Sequence, residues 1–230
     1  MDATSLDQRA IRAPGAILAI AGGIVALHAL RVALQIGADP FAFAASDLWR
    51  GRAYTLLAHM LVHANWAHVV TNAVFILAFG APVGRLLGQD VRGAILVSTF
   101  FVVCGVMAAL GFAGLDLAFP PGGQRGVEDS MIGASGAAAG LMGAASRLMG
   151  RTPRAAGAPG RPRLGPMLSR SSMGLAASWV VVNLVVGLTG LAPGVEGAGI
   201  AWQAHLVGFA VGLILIGPFA RLAGAPRNDS

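Results

Sequence analysis

Six long apolar runs alternate with short polar stretches along the chain, at about 15–36, 56–79, 94–115, 131–149, 173–191 and 200–220. Each is close to the ~20 residues that carry an α-helix across a bilayer. The runs are continuous rather than alternating, which excludes the strands of a membrane barrel. In lipid the backbone must satisfy its own hydrogen bonds, so helices remain. The pattern therefore predicts an all-α, polytopic membrane protein: a six-transmembrane-helix bundle.

Composition agrees. Of 230 residues, 56% are hydrophobic and 11% charged, well below the roughly one quarter charged in a soluble domain. The 33 glycines suit helices whose backbones approach closely in lipid. The net charge of +6 is carried by arginine alone. With one tyrosine and no basic face interleaved with aromatics, no nucleic-acid partner is expected. The single cysteine, Cys104, permits no intrachain disulfide and reads as a small buried hydrophobe.

The arginines set a direction. Arg9, Arg12, Arg85, Arg92, Arg147, Arg151, Arg154, Arg161, Arg163, Arg170, Arg221 and Arg227 fall on one side of the six runs. Asp39, Asp47, Asp116, Glu128, Asp129 and Glu196 fall on the other, with only Arg50, Arg52 and Arg125. The positive-inside rule then puts both termini in the cytoplasm. Arg31, inside the first run, is expected to snorkel or pair. The first run is too long for a cleavable signal and reads as a signal-anchor helix. The expected organisation is a tail at 1–14, one membrane domain at 15–222 and a tail at 223–230, with an Arg/Pro/Gly-rich cytoplasmic loop at 152–170 joining the fourth and fifth helices. Short tails and an arginine-only basic set fit a bacterial inner membrane.

Polar residues inside a span invite a functional reading. The second run holds His59, His63, His68 and Asn72. As helix, it places His59 with His63, and His68 with Asn72, on common faces. Two histidines four apart can bind zinc, but no His-Glu-x-x-His string or third ligand is near, so no metal or other cofactor is expected. The fourth run opens with Gly133-Ala134-Ser135-Gly136 and continues its small residues at Gly140 and Gly143. Alone, this reads as close helix packing. The sixth run supplies a base: Ala204-His205, followed by Gly208 and Gly212. Two glycine faces can pack with little separation, which would bring a serine hydroxyl to an imidazole. With this topology the second, fourth and sixth runs start on the same side, so all these groups share one depth. A neutral imidazole can activate a serine, and the Ser135 backbone N–H at a helix N-terminus can stabilise an oxyanion. All acids lie in loops or tails, so the residues support a Ser-His dyad rather than a triad.

This pattern resembles the rhomboid family of intramembrane serine proteases. The residues that carry it are His63-Ala64-Asn65-Trp66-Ala67-His68 with Asn72, Gly133-Ala134-Ser135-Gly136, and Ala204-His205 with Gly208 and Gly212. They fall in order in the second, fourth and sixth helices, within a resemblance that covers about 54–219. It implies a serine endopeptidase that cuts membrane-anchored proteins near the extracytoplasmic surface through an acyl-enzyme, with no metal. Ser135 is then the nucleophile and His205 the base. His68, Asn72 and the Ser135 N–H are the oxyanion donors, and His63 is a structural histidine bonded to the loop between the first two helices. Gly133, Gly136, Gly208 and Gly212 support the site. The chain departs from the family pattern where Tyr54-Thr55 replaces a Trp-Arg pair, Trp49-Arg50 lying further upstream. It departs again at Gly84, where a glutamate often stands, and at Ala139, where an aromatic ring often stacks on the base. Trp202 and Phe209 are the candidate substitutes for that ring. The expected partners are transmembrane protein substrates and the lipid bilayer. The rival readings are an inactive relative that binds membrane proteins without cutting them, and a channel or transporter.

Overall fold

The computed structural model describes residues 13–119, 129–149, 163–189 and 201–225. Of the charges used above to set direction, Arg9, Arg12, Arg125, Glu128, Arg151, Arg154, Arg161, Glu196 and Arg227 lie outside the described residues, as does most of the 152–170 loop.

The principal helices are α1 (Gly15–Ala33), α2 (Trp66–Leu87), α3 (Val91–Ala118), α4 (Ser135–Ser146), α5 (Arg170–Thr189) and α6 (Trp202–Leu222). All but α4 contain a stretch long and apolar enough to cross a membrane. The fold is thus the expected all-α bundle, with two differences that shape the site.

The first concerns the fourth run. A span over 131–149 was expected, but α4 has only 12 residues. At about 1.5 Å per residue it is roughly 18 Å long, well short of the ~30 Å hydrocarbon core. Residues Ser130–Met131 instead form a strand, β2, antiparallel to β1 (Phe43–Ala44) in the segment after α1. Gly133 then turns the chain with φ +108°, and helix begins at Ser135. Hydropathy does not separate these cases, because alanine, glycine and methionine are apolar in either conformation. The consequence is that Ser135 opens a short helix within the bundle. Non-helical backbone inside a membrane bundle is tolerated where protein covers it or where it lines a cavity, and α4 is buried along its whole length after Ser135.

The second concerns the run at 56–79. A single helical turn, Thr55–Ala58, and a 3-10 turn, His59–Leu61, precede an extended Val62. Helix α2 starts only after Asn65, whose side-chain oxygen accepts the His68 backbone N–H at 2.9 Å. This is an N-cap, which removes one of the unsatisfied first-turn donors. His59 and His63 therefore do not share a helix face, contrary to the spacing argument. His68 and Asn72 do: Asn72 Nδ2 donates to the His68 carbonyl at 2.9 Å.

The close glycine packing is observed. A Cβ at Gly208 would overlap the Gly136 carbonyl, one at Gly212 the Gly140 carbonyl, and one at Gly143 the Phe209 carbonyl. Helices α4 and α6 are thus in backbone contact along a shared seam. Behind it, α3 presents Cys104 and Ala108 to Gly140 and Gly136. Cys104 is free and fully buried, as a small hydrophobe would be. Arg31, expected to snorkel or pair, forms no ion pair among the described residues. Its guanidinium donates to the backbone carbonyls of Ile36 and His63, both at 2.8 Å, and so ties the end of α1 to the segment before α2.

Candidate active site

Three short structural events place the serine. The Gly133 N–H donates to the His59 carbonyl at 2.8 Å. The Ala134 N–H donates to His63 Nε2 at 3.4 Å. Gly133 itself sits so close to His68 that an added Cβ would lie 2.7 Å from Nε2; with a positive φ as well, the position admits only glycine. The segment 59–63 thus holds the turn from which Ser135 emerges. His63 acts here through its ring on the loop before α4, not on the loop between the first two helices. Its link to α1 runs through its backbone carbonyl and Arg31. Burial, then the neighbouring His68, His28 and Arg31, push His63 down to about 3. Its ring stays neutral, and Nε2 can accept.

His205 lies in the first turn of α6, against the N-terminal end of α4. Ser135 Oγ and His205 Nε2 are 2.8 Å apart, a hydrogen-bond distance for a hydroxyl and an imidazole. The glycine seam explains the proximity. With Gly136 backbone against Gly208, a serine side chain of two heavy atoms spans the gap.

On the other side of Ser135 stand two donors. The Ala64 N–H approaches His68 Nδ1 at 3.5 Å; with Nδ1 as acceptor, the proton is on Nε2, which faces Gly133. Asn72 Nδ2 lies 3.8 Å from the same would-be Gly133 Cβ. One of its hydrogens is used on the His68 carbonyl and the other is left for the cavity. The Ser135 N–H, in the first turn of α4, has no intrahelical acceptor. These groups surround a cavity of about 440 Å³ whose lining includes His68, Asn72, Ser135, Trp179, Asn183 and His205.

Two neighbours of His205 were not found from the sequence. Asn183 Oδ1 is 2.8 Å from His205 Nδ1. Trp179, one turn earlier on α5, places its ring centroid 6.0 Å from the imidazole at 39°, and its Nε1–H donates to the His205 carbonyl at 3.4 Å. Of the two rings suggested as substitutes at Ala139, Trp202 packs against Gly187 of α5, and Phe209 packs in the cluster with Ala139 and Met142. The ring beside His205 is Trp179, which belongs to that same cluster around Ala139. Among the described residues no acid reaches the His205 ring, but an amide does. The sequence signal was present only as a lone asparagine in an apolar run. His28 was also unread: it is buried in α1, edge-on to Trp66 at 4.8 Å and 6.3 Å from His63. Among the described residues no three His, Cys, Asp or Glu side chains form a metal-ligand set.

A helical bundle with five helices long and apolar enough to cross a membrane, and a serine–histidine pair at a cavity between them, defines a class, that of polytopic membrane proteins. Within it the chain belongs to the rhomboid family, whose family model, Rhomboid domain, matches residues 50–221. The protein is thus an integral multi-pass membrane protein of a family of intramembrane proteases and their relatives. No curated protein is similar enough to register as a match.

Proposed function

We propose that this protein is an intramembrane serine endopeptidase acting on membrane-anchored protein substrates. The observation that carries the reading is the 2.8 Å contact between Ser135 Oγ and His205 Nε2 inside a cavity bordered by hydrogen-bond donors. Ser135 Oγ attacks the scissile carbonyl as His205 Nε2 takes the hydroxyl proton. The negative oxygen of the tetrahedral intermediate is held by the Ser135 N–H, His68 Nε2–H and Asn72 Nδ2. A single donor of this kind contributes about 3–4 kcal/mol to the transition state. On collapse His205 passes its proton to the leaving amine, and the acyl group stays on Ser135. A water then attacks this ester, with His205 again as base, and the proton it takes returns to Ser135 Oγ. The roles of Gly133, Gly136, Gly208 and Gly212 are geometric: they let the serine, the base and the donors converge.

The same reading treats 15–222 as one membrane domain, with tails at 1–14 and 223–230 on the cytoplasmic side of a bacterial inner membrane. Cleavage then occurs near the extracytoplasmic surface, because Ser135, His205 and His68 all lie near the ends of their helices that precede the arginine-bearing termini. The test is to incubate purified protein in proteoliposomes with a tagged, single-span substrate. Wild type should release a fragment and Ser135→Ala should not. Fragment release by both, or by neither under conditions where the fold is intact, contradicts the reading.

A further inference from the structure

Helix α5 is exposed along most of its length, yet it buries two polar side chains: Ser172 near its start, and Asn183, at 2% exposure, in its apolar part. A polar group in a membrane span is costly unless it is partnered. Both ends of this amide are partnered. Asn183 Nδ2 donates to the Trp179 carbonyl at 2.8 Å, and Oδ1 lies 2.8 Å from His205 Nδ1. The first bond fixes the orientation of the amide, because a flipped side chain would set oxygen against oxygen at Trp179. With Oδ1 facing the imidazole, only an Nδ1–H can complete the second bond. The proton is then on Nδ1, and the lone pair is on Nε2, where Ser135 Oγ sits. The Trp179 Nε1–H bond to the His205 carbonyl draws the same two turns of α5 onto the first turn of α6.

We propose that Asn183 is the positioning residue of the site: its amide oxygen holds His205 in the tautomer that can accept the serine proton, so that the working unit is Ser135, His205 and Asn183, drawn from three helices. The inference rests on the protease reading of Ser135 and His205. An amide fixes the tautomer and ring orientation as a carboxylate does, but it brings a dipole rather than a full charge to the imidazolium formed during attack. Asn183 touches no reacting atom. Its effect is transmitted through the ring.

The test uses the full chain in proteoliposomes, with Asn183→Leu and Asn183→Asp beside wild type and Ser135→Ala. Leucine matches the apolar character of the rest of α5, so folding and insertion are retained. The expected result for Asn183→Leu is a fall in kcat of about 10²-fold with little change in KM, smaller than the ~10⁴-fold seen when a carboxylate in this role is lost. Asn183→Asp, which keeps an acceptor at the same reach, should recover activity to within about tenfold of wild type. A residue that only packs would raise KM or lower stability, and aspartate would not rescue it. A second readout does not depend on turnover: the ¹⁵N spectrum of histidine-labelled protein, with His205 assigned by comparison with His205→Ala. Wild type should show His205 protonated at Nδ1 alone, and Asn183→Leu should show a mixture of tautomers. Wild-type kcat in Asn183→Leu, or a His205 spectrum that the substitution leaves unchanged, overturns the proposal. If wild type itself cuts nothing, the protease reading fails, and the spectrum still decides the role of Asn183 on the ring.

Discussion

His205 stands between two helices that hold it in opposite ways. On one side, α4 meets α6 along a glycine seam where backbone touches backbone and no side chain intervenes. On the other, α5 reaches α6 through two polar side chains, Trp179 and Asn183, while most of its surface remains exposed. The seam fixes distance, since the separation of the two backbones decides whether Ser135 can reach the imidazole. The polar clasp fixes chemistry, since the amide decides which ring nitrogen carries the proton. The difference teaches that one serine–histidine contact is controlled by two independent kinds of force: steric closeness that tolerates no added atom, and a directional bond that tolerates only an acceptor.

That comparison is broken most severely at the seam. Gly208→Leu should abolish cleavage, because even a Cβ at this position overlaps the Gly136 carbonyl. Gly208→Ala should lower both activity and thermal stability in detergent, since overpacking typically costs about 1–3 kcal/mol. An active, stable Gly208→Leu protein would refute the seam. The next effect lies at the oxyanion donors: Asn72→Ala should fold normally and lower kcat by about 10²-fold, with KM little changed, in the same cleavage assay. Unchanged turnover would remove Asn72 from the site. On the clasp side, Trp179→Leu removes a ring contact and one hydrogen bond but leaves Asn183 in place. A fall of only several-fold is expected, and a loss as large as that of Asn183→Leu would mean that packing, rather than the amide, carries the effect.

The smallest effect concerns His63, beneath the serine turn. Its folded-state pKa, near 3, lies below the ~6.5 of an unfolded histidine. As pH falls below about 6.5 the unfolded chain binds a proton that the folded protein refuses, so this contribution to stability is present at neutral pH and is lost on the way down to about 3. The melting temperature should therefore drop on acidification, and His63→Gln should drop less steeply. An identical slope for the two proteins would show that other groups dominate.

The two sides also differ in how far the sequence disclosed them. Gly136, Gly140, Gly208 and Gly212 recur at helical spacing on two runs, and a periodic signal can be read without coordinates. His68 and Asn72, four apart on one helix, were legible for the same reason. Asn183 has no such signal. Its partner lies on another helix, and neither its spacing to Trp179 nor its apolar surroundings names His205. The short α4 was missed because hydropathy counts apolar residues, not hydrogen bonds: 131–134 is apolar enough to be helix but is taken up by pairing with Phe43–Ala44 and by the Gly133 turn. The helix expected through His59 and His63 failed because Asn65 caps α2 and so starts it late. A cap is a single polar side chain, and the continuous apolar run around it does not mark where the helix begins.

The central claim is that Ser135 is a nucleophile made reactive by His205. It is tested most directly by a fluorophosphonate probe applied to the membrane-embedded protein, with the labelled residue located by mass spectrometry. Wild type should label at Ser135, and both Ser135→Ala and His205→Ala should lose the label. Labelling that persists in His205→Ala, or that falls on a different serine, would contradict the account.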